Sequence, residues 1–507
     1  MSFDQSPSER RAAATFWAAA IAIGLLSLPF RLNGVAPNVS WLVFVCERMI
    51  DGAAVYVDLI ESAVPLSVLL YFPAALAGRL SGLDPDMVAV ALAYAAAFGC
   101  IALARSILPR TAPGVGPTDW TILAPCLVVL FIVADHSFAE REFFAAAFTL
   151  PIVSIYIRNA ADGSWPGALK RMPAGLLGGV AAALKPPIFA LPFLAVGFAA
   201  VLRRRNLQAI FKGGLAEAAI ASAAATAWSL WLMPEYVNAT LPLMNELYLA
   251  VRLPPIILVK VASFLGVAVM LALTSIAIAR SRSATALPYL LAASIGYLAA
   301  YVIQGKYWEY HLLPAAMFAV ACILGAGASM SHGASSALKG EPIFAVLYGG
   351  FALYALASVV YANIDRTDRM RDLRWAGRLD RPTVAGIAPY MSTTFPLVRQ
   401  FRGRWIDPYH SQWRIVYGKL GLALYGNDDE KAARFRRAIN AEYERVIRLI
   451  REQRPEILII DASGGDKALY KDALARAPDL LADYSVVAEE SNWRILERGH
   501  DAAEIAK

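Results

Sequence analysis

The chain alternates long apolar runs with short basic loops, and this pattern constrains its fold more than any single motif. Runs long enough to cross a membrane as helices, on the rule of roughly 17–25 residues per span, occur near 13–31, 88–104, 119–134, 141–157, 172–186, 187–202, 213–233, 255–279, 285–303, 311–330 and 342–362. A mean hydropathy of +0.50, with 58% hydrophobic and 17% charged residues, belongs to a polytopic membrane protein and not to a soluble one. The net charge of +7 does not point to nucleic acid, because the Lys and Arg residues sit mostly between apolar runs, where they orient a membrane protein. Cys100, Cys126 and Cys322 lie inside apolar runs and Cys46 in a semi-apolar segment, without CxxC or His-Cys spacing. Neither a disulfide scaffold nor a zinc site is expected.

The first run follows Arg10 and Arg11 and precedes no small-residue cleavage site, so it reads as a retained helix with a cytoplasmic amino terminus. The apolar stretch 64–80 then sets the phase of everything after it. If it lies along the membrane, Arg105 and Arg110, Arg158 with Lys170 and Arg171, Arg203 to Arg205 with Lys212, Arg280 with Arg282, and Lys339 all fall on the cytoplasmic side. If it spans, the same loops fall outside. The positive-inside rule favours the first reading, an interfacial helix inside a first external loop of about 32–87. About eleven spans then bring the tail from Asn363 out on the external side. At about 140 residues that tail is large enough for its own core. Its run E-I-L-I-I-D at 456–461 reads as a buried strand, and 429–451 as an amphipathic charged helix. The expected architecture is a polytopic α-helical membrane domain, 1–362, followed by a C-terminal extracytoplasmic α/β domain, 363–507. No internal repeat of the kind that builds inverted-repeat transporters is visible.

Polar groups at the mouth of a membrane span are costly unless they are paired or face a water-filled cavity, so clusters of them mark candidate sites. Three external loops collect such groups: the first loop, with Glu47, Asp51, Asp58 and Glu61; the turn 135–142; and the turn 304–311, with Gln304, Lys306, Glu309, Tyr310 and His311. In the first loop, E-R-M-I-D-G-A-A-V-Y-V-D-L-I-E mixes acids with apolar residues at near-helical spacing, which an interfacial amphipathic helix explains. Asp58 and Glu61, after Tyr56 and before the turn-forming Pro65, fit that account less well. Arg141 and Glu142 open a helix, where an acid suits the positive helix end and an Arg either pairs with it or grips a phosphate bidentately. Lys185, before Pro186-Pro187, either snorkels toward the interface or binds phosphate.

The order of the stretches D-G-A-A-V-Y-V-D-L-I-E-S-A-V-P from Asp51, F-A-E-R-E from Phe138, A-L-K-P-P from Ala183 and Y-V-I-Q-G-K-Y-W-E-Y-H-L-L-P from Tyr301 resembles bacterial membrane glycosyltransferases of the GT-C class. Within that class the resemblance is to the group related to protein mannosyltransferases and lipid A aminoarabinose transferases. T-F-P-L-V at Thr394 and R-P-E-I-L-I-I-D at Arg454 extend the resemblance into the tail. It implies an inner-membrane enzyme that moves a sugar, with inversion, from a polyprenyl-phosphate donor to a glycan, lipid or protein acceptor outside the cytoplasm. It implies no resident cofactor and leaves room for a divalent cation. In that frame Asp58 is the first choice of base, with Glu61 and Glu142 as further acids. Glycosyl transfer needs such a base and cations for the leaving phosphate; Arg141, Lys185 and Lys306 would hold the phosphate, while Gln304, Tyr310 and His311 line the pocket. The chain departs from the family pattern in three places: Asn33 and Asn38, with no carboxylate before Glu47, follow the first helix; Ala63-Val64-Pro65 replaces Asn-Pro-Pro; and Phe143 replaces a His. The rival readings are a lipid-linked glycan transporter or flippase, and a non-catalytic component of an envelope polysaccharide assembly system.

Overall fold

The computed structural model describes residues 6–32, 35–113, 115–280, 285–306, 308–333, 350, 381–463, 468–490 and 493–499. Ten of the expected apolar runs coincide with helical segments; the run near 342–362, apart from residue 350, lies outside the described residues, as does the expected domain boundary. Among the described residues, six helices are long and apolar enough to cross a membrane: Pro7–Arg31, Pro85–Ile107, Arg141–Asp162, Leu215–Leu232, Leu287–Gln304 and Glu309–Ala328. Ala168–Ala183, Leu191–Arg204 and Ala262–Arg280 accompany them. Several helices begin on proline, which has no N–H to leave unsatisfied in the first turn and a φ already suited to it: Pro37, Pro65 and Pro85 are examples. At Pro85 the preceding Asp84 side chain also accepts from Asp86 N, so the cap is complete.

The first connecting segment differs from expectation. The helix Pro37–Ile50 ends before Asp51. Gly52 then takes a φ of +93° and Tyr56 a φ of +73°, and Val55 bridges Leu59. From Asp51 onward, turns with left-handed residues at Gly52 and Tyr56 therefore replace the amphipathic helix suggested by the spacing of Glu47, Asp51, Asp58 and Glu61, while Glu47 stays within Pro37–Ile50. The 64–80 stretch forms two short helices, Pro65–Leu69 and Phe72–Ser81. Both act as braces. Ser67 Oγ donates to Leu184 O at 2.6 Å, and Tyr71 OH to Ala139 O at 2.8 Å.

Arg141–Asp162 is the central helix, with 89% of its apolar window buried against 28% for the peripheral Pro7–Arg31. Tyr297 ties Leu287–Gln304 to it through Thr149 Oγ1 at 2.7 Å and Ala145 O at 3.0 Å. Ala168–Ala183 packs on Leu215–Leu232 through Gly175 and Gly179, where an added Cβ at Gly179 would stand 2.5 Å from Ala221 Cβ and 2.7 Å from Ala218 O. Small residues four apart let two membrane helices touch backbone to backbone, which replaces the hydrophobic drive that lipid does not supply.

The C-terminal domain is a mixed five-stranded sheet in the order Arg404–Trp405, Thr383–Ile387, Ile457–Asp461, Trp493–Arg498, Tyr484–Glu490. The first three strands are parallel and the last two antiparallel to their neighbours. Ile457–Asp461 is buried along its whole length, as its unbroken apolar run predicts for a strand covered on both faces. The helix Asp429–Gln453 lies beside it in the chain and buries Phe435, Ile439, Tyr443, Val446 and Ile450 on one face. The domain docks on the first segment: Trp41 meets Phe395 edge-on at 4.8 Å, and Ile60 N donates to Pro408 O at 2.8 Å. Arg399 reaches across to bind Asp86 through two nitrogens, at 2.8 and 3.1 Å, and pairs with Glu47. The fold is thus a polytopic helical membrane protein carrying a C-terminal α/β domain.

Candidate functional site

Four helix ends meet at the end of the bundle nearest this domain. Glu140 is the N-cap residue of Arg141–Asp162, but its side chain makes no capping bond. It turns instead to accept from Asn38 Nδ2 at 2.7 Å. Glu142, wholly buried, takes the Lys185 ammonium on Oε1, while its Oε2 has no partner among the described residues. Lys185 Nζ also donates to Gln304 Oε1 at 3.1 Å and to His311 Nε2 at 3.0 Å. An ammonium has three N–H groups, so Lys185 has none to spare. The acceptor role of Nε2 leaves the His311 proton on Nδ1, which has no partner among the described residues. Tyr310 stacks edge-on against His311, with ring centroids 4.4 Å apart.

Arg141 differs from its neighbours. It is 8% exposed, and among the described residues no hydrogen bond or ion pair engages its guanidinium. Glu142, Tyr310, Glu140 and Glu61 surround it within electrostatic reach, which holds the charge in place without using its donors. A buried guanidinium with five free N–H groups is a costly arrangement unless an anion completes it.

The other expected site residues are more fully used. Glu61 is buried, with Oε2 accepting from Trp41 Nε1 and Oε1 from Ala63 N at 2.6 Å and Ser62 Oγ at 3.2 Å. Asp58 is exposed and accepts from Ala54 N at 2.8 Å, closing its own turn. It lines a separate groove beside the C-terminal domain. Lys306 is buried, donates to Tyr248 O and to Val251 O at 2.7 Å, and stands 4.1 and 4.7 Å from the ring centres of Tyr248 and Tyr417. Burial, and then the Arg252 charge, bring its pKa down to about 7. Arg141, Glu142, Lys185, Gln304, Tyr310 and His311 are therefore gathered directly, Glu61 lies within their field, Lys306 braces the adjoining turn, and Asp58 faces elsewhere.

Glu140 is not among the site residues expected from the sequence, and Asn38 is noted there only as an amide where the resemblance implies an acid. Burial, and then the like charge of Glu142, push the Glu140 carboxyl up to about 8. Its signal was present in F-A-E-R-E, where an acid directly before a helix start reads by default as a cap. Asn38 stands just after the helix-opening Pro37, and nothing in the sequence signals its bond to Glu140. Among the described residues, no three His, Cys, Asp or Glu side chains gather as metal ligands.

No protein-family model matches the chain, and no curated protein matches it by sequence. Its fold is similar to that of ArnT from Cupriavidus metallidurans. Against the crystal structure of ArnT bound to undecaprenyl phosphate the TM-score is 0.58 at 13% identity, covering 96% of this chain and 99% of that one. Against the apo crystal structure it is 0.53 at 13% identity, covering 97% and 100%. The resemblance read from the motifs therefore holds at the level of fold, over nearly the whole chain.

Proposed function

We propose that the protein is an integral membrane glycosyltransferase that moves a sugar from a polyprenyl-phosphate donor to an acceptor on the non-cytoplasmic face of a bacterial inner membrane. The observation that carries this reading is Arg141, a buried guanidinium whose donors are free. A phosphate is the planar-fork partner that geometry suits best. Undecaprenyl phosphate in the ArnT crystal structure supports the same ligand class. Positive-inside ordering of the basic loops supports an orientation with this end of the bundle, and the C-terminal domain from about 363, outside the cytoplasm.

In this reading the acceptor oxygen attacks the anomeric carbon from the face opposite the phosphate. The sugar–phosphate C–O bond breaks, its electron pair stays on the phosphate oxygen, and Arg141 holds the charge that develops there. The acceptor proton passes to a carboxylate. Glu61 already accepts from Trp41, Ser62 and Ala63, and Glu142 from the Lys185 ammonium, so neither is as open to an incoming proton as Glu140. Glu140 has one amide donor and a raised proton affinity, which matches a general base near neutral pH. Glu61 and Glu142 then supply negative charge around the cationic sugar carbon, and the His311 Nδ1 proton is available to a substrate oxygen. Lys185, Gln304 and Tyr310 hold that histidine and Glu142 in place.

The second reading, a non-catalytic assembly component, draws on Asn38, an amide at the start of the helix where the resemblance implies an acid. One experiment separates them. Purified protein in nanodiscs is loaded with undecaprenyl phosphate and assayed by native mass spectrometry, and separately given undecaprenyl-phosphate sugars and an envelope extract as acceptor. Wild type should retain the lipid and transfer sugar, while Arg141→Gln should lose lipid capture by tenfold or more. Capture unchanged in Arg141→Gln would overturn the site assignment, and capture without any transfer would leave the non-catalytic reading.

A further inference from the structure

Asp58 opens onto a groove of about 340 Å³ between the first segment and the C-terminal domain, formed chiefly by Arg48, Asp58 and Leu59 on one side and Arg404, Asp407 and Gln453 on the other. The volume suits a ligand of one or two sugar rings. Its charges are unevenly used. Arg445 grips Asp407 through two nitrogens at 2.9 and 3.0 Å, and Tyr409 N donates to it at 2.9 Å, so that carboxylate is satisfied. Arg48 and Arg404 make no side-chain hydrogen bond or ion pair among the described residues. Asp58 uses only Oδ2, on Ala54 N. What remains open to a ligand is two guanidinia, one carboxylate oxygen and one amide, against an apolar wall of Leu59, Ile406 and Leu449.

We infer that this groove is an acceptor subsite for a sugar unit bearing an anionic group, a phosphate or a carboxylate. The two guanidinia bind that group as planar forks. Asp58 and Gln453 take ring hydroxyls, which a carboxylate accepts from and an amide both donates to and accepts from, and the apolar wall covers the C–H face of the ring. A neutral sugar would leave both arginines unanswered; a bare anion would leave Asp58 repelling it. Only the combination uses every group.

The inference rests on the glycosyltransferase reading for its meaning, because the groove must lie next to the transfer site to act as an acceptor subsite. Chain connectivity meets that need. Asp58 is three residues from Glu61, so their Cα atoms are at most roughly 11 Å apart. Glu61 stands within the field of Arg141. The bond from Ile60 N to Pro408 O fastens the connecting strand of loop to the groove floor. In this proposal an anionic unit seated at Arg48 and Arg404 anchors the acceptor beside the loop that carries Glu61, and a further sugar of the same acceptor spans from the groove to the cluster.

The test uses the full-length protein in nanodiscs and binding by isothermal titration. D-glucuronate and glucose 1-phosphate are the soluble probes, glucose is the neutral control and inorganic phosphate the bare anion. Monophosphoryl lipid A built into the nanodisc, with retention read by mass spectrometry, distinguishes a lipid-anchored source from a free glycan. The acidic sugars, or the lipid-anchored one, should bind at least tenfold more tightly than glucose or phosphate alone. Arg48→Gln with Arg404→Gln should abolish that preference, while Arg141→Gln should keep it. Undecaprenyl phosphate capture should show the opposite dependence, which also reports that the double variant is folded. Asp58→Asn should weaken the acidic sugars and leave inorganic phosphate unchanged or stronger. Equal binding of glucose and the acidic sugars, or an unchanged preference in the double variant, would overturn the inference. Because the soluble arm needs no donor, it stands or falls apart from the transfer reaction.

Discussion

At the scale of single residues the site divides its carboxylates by what surrounds them. Glu61 has three donors and Glu142 a lysine, whereas Glu140 has one amide. Burial, then Glu142, raise Glu140 from an ordinary 4.5 to about 8. If Glu140 is the base, its active form is the ionised one, which grows as pH rises. Transfer at low substrate should therefore climb about tenfold per pH unit below about 8 and level above it. Glu140→Gln should remove that limb and slow transfer by about 10²–10⁴-fold, the usual worth of a general base. The sign for stability is separate. A carboxyl whose folded pKa is raised stabilises the fold fully below 4.5 and loses that contribution as pH rises through about 8. Thermal midpoints in detergent should accordingly fall less steeply from pH 5 to 8.5 in Glu140→Gln than in wild type. A pH profile of transfer unchanged by the substitution would remove Glu140 from the base role.

At the scale of elements, the site depends on helices that meet through small residues. Lys185 stands two residues beyond Ala168–Ala183, whose Gly179 touches Ala221 and Ala218. Gly179→Val would drive a side chain into that contact. Overpacking of this kind costs about 1–3 kcal/mol, so the unfolding midpoint should drop, and undecaprenyl phosphate capture should weaken as Lys185 drifts from Glu142. A fully wild-type midpoint would mean that the two helices separate freely. The same elements show what could be read from the chain. Apolar runs of spanning length and the buried strand Ile457–Asp461 announce themselves through continuous burial, and Pro37, Pro65 and Pro85 mark helix starts. The turns at Gly52 and Tyr56 were hidden, because near-helical spacing of acids masks a left-handed break at a non-glycine residue. Partners far apart in sequence were hidden as well. Asn38 and Glu140 are 102 positions apart, and Arg399 and Asp86 are 313 apart. Spacing within a segment carries no trace of such pairs, so the sequence ranks Asp58 ahead of Glu61 as base, whereas the loop turns Glu61 inward and Asp58 toward the groove.

At the scale of the whole molecule, the C-terminal domain and the membrane helices are joined by a half-buried ionic contact and aligned on the axis of a long central helix. Arg399 bridges Glu47 and Asp86 across the domain boundary. Removing Arg399 leaves the buried Asp86 carboxylate uncompensated, which is destabilising, although the partly exposed Arg399 and Glu47 keep the loss below the value of about 3–5 kcal/mol for a fully buried pair. Arg399→Met should therefore loosen docking, read as faster proteolytic release of the C-terminal domain; an unchanged rate would assign the docking to the Trp41 and Phe395 contact. The axis sets topology. The 22-residue helix Arg141–Asp162 is roughly 33 Å long at 1.5 Å per residue, close to the hydrocarbon thickness of about 30 Å. It carries the Arg141 cluster at one end. At the other, Arg204 donates to Asn159 at 2.9 Å, Arg171 pairs with Glu217 at 2.7 Å, and Arg158 pairs with Asp162 at 3.7 Å. Positive residues gather on the cytoplasmic face, so the basic end should face inward and the cluster outward, where a lipid-linked sugar is used. Lys339, which belongs to the same expected pattern, lies outside the described residues. Cysteine labelling tests the orientation cleanly, because the four native cysteines are buried and free. Glu430→Cys, on the exposed face of the C-terminal domain, should react with a membrane-impermeant maleimide in intact spheroplasts. Leu207→Cys, 65% exposed at the basic end, should react only after the membrane is opened. The reverse pattern would put the cluster in the cytoplasm and remove the basis for an externally presented donor.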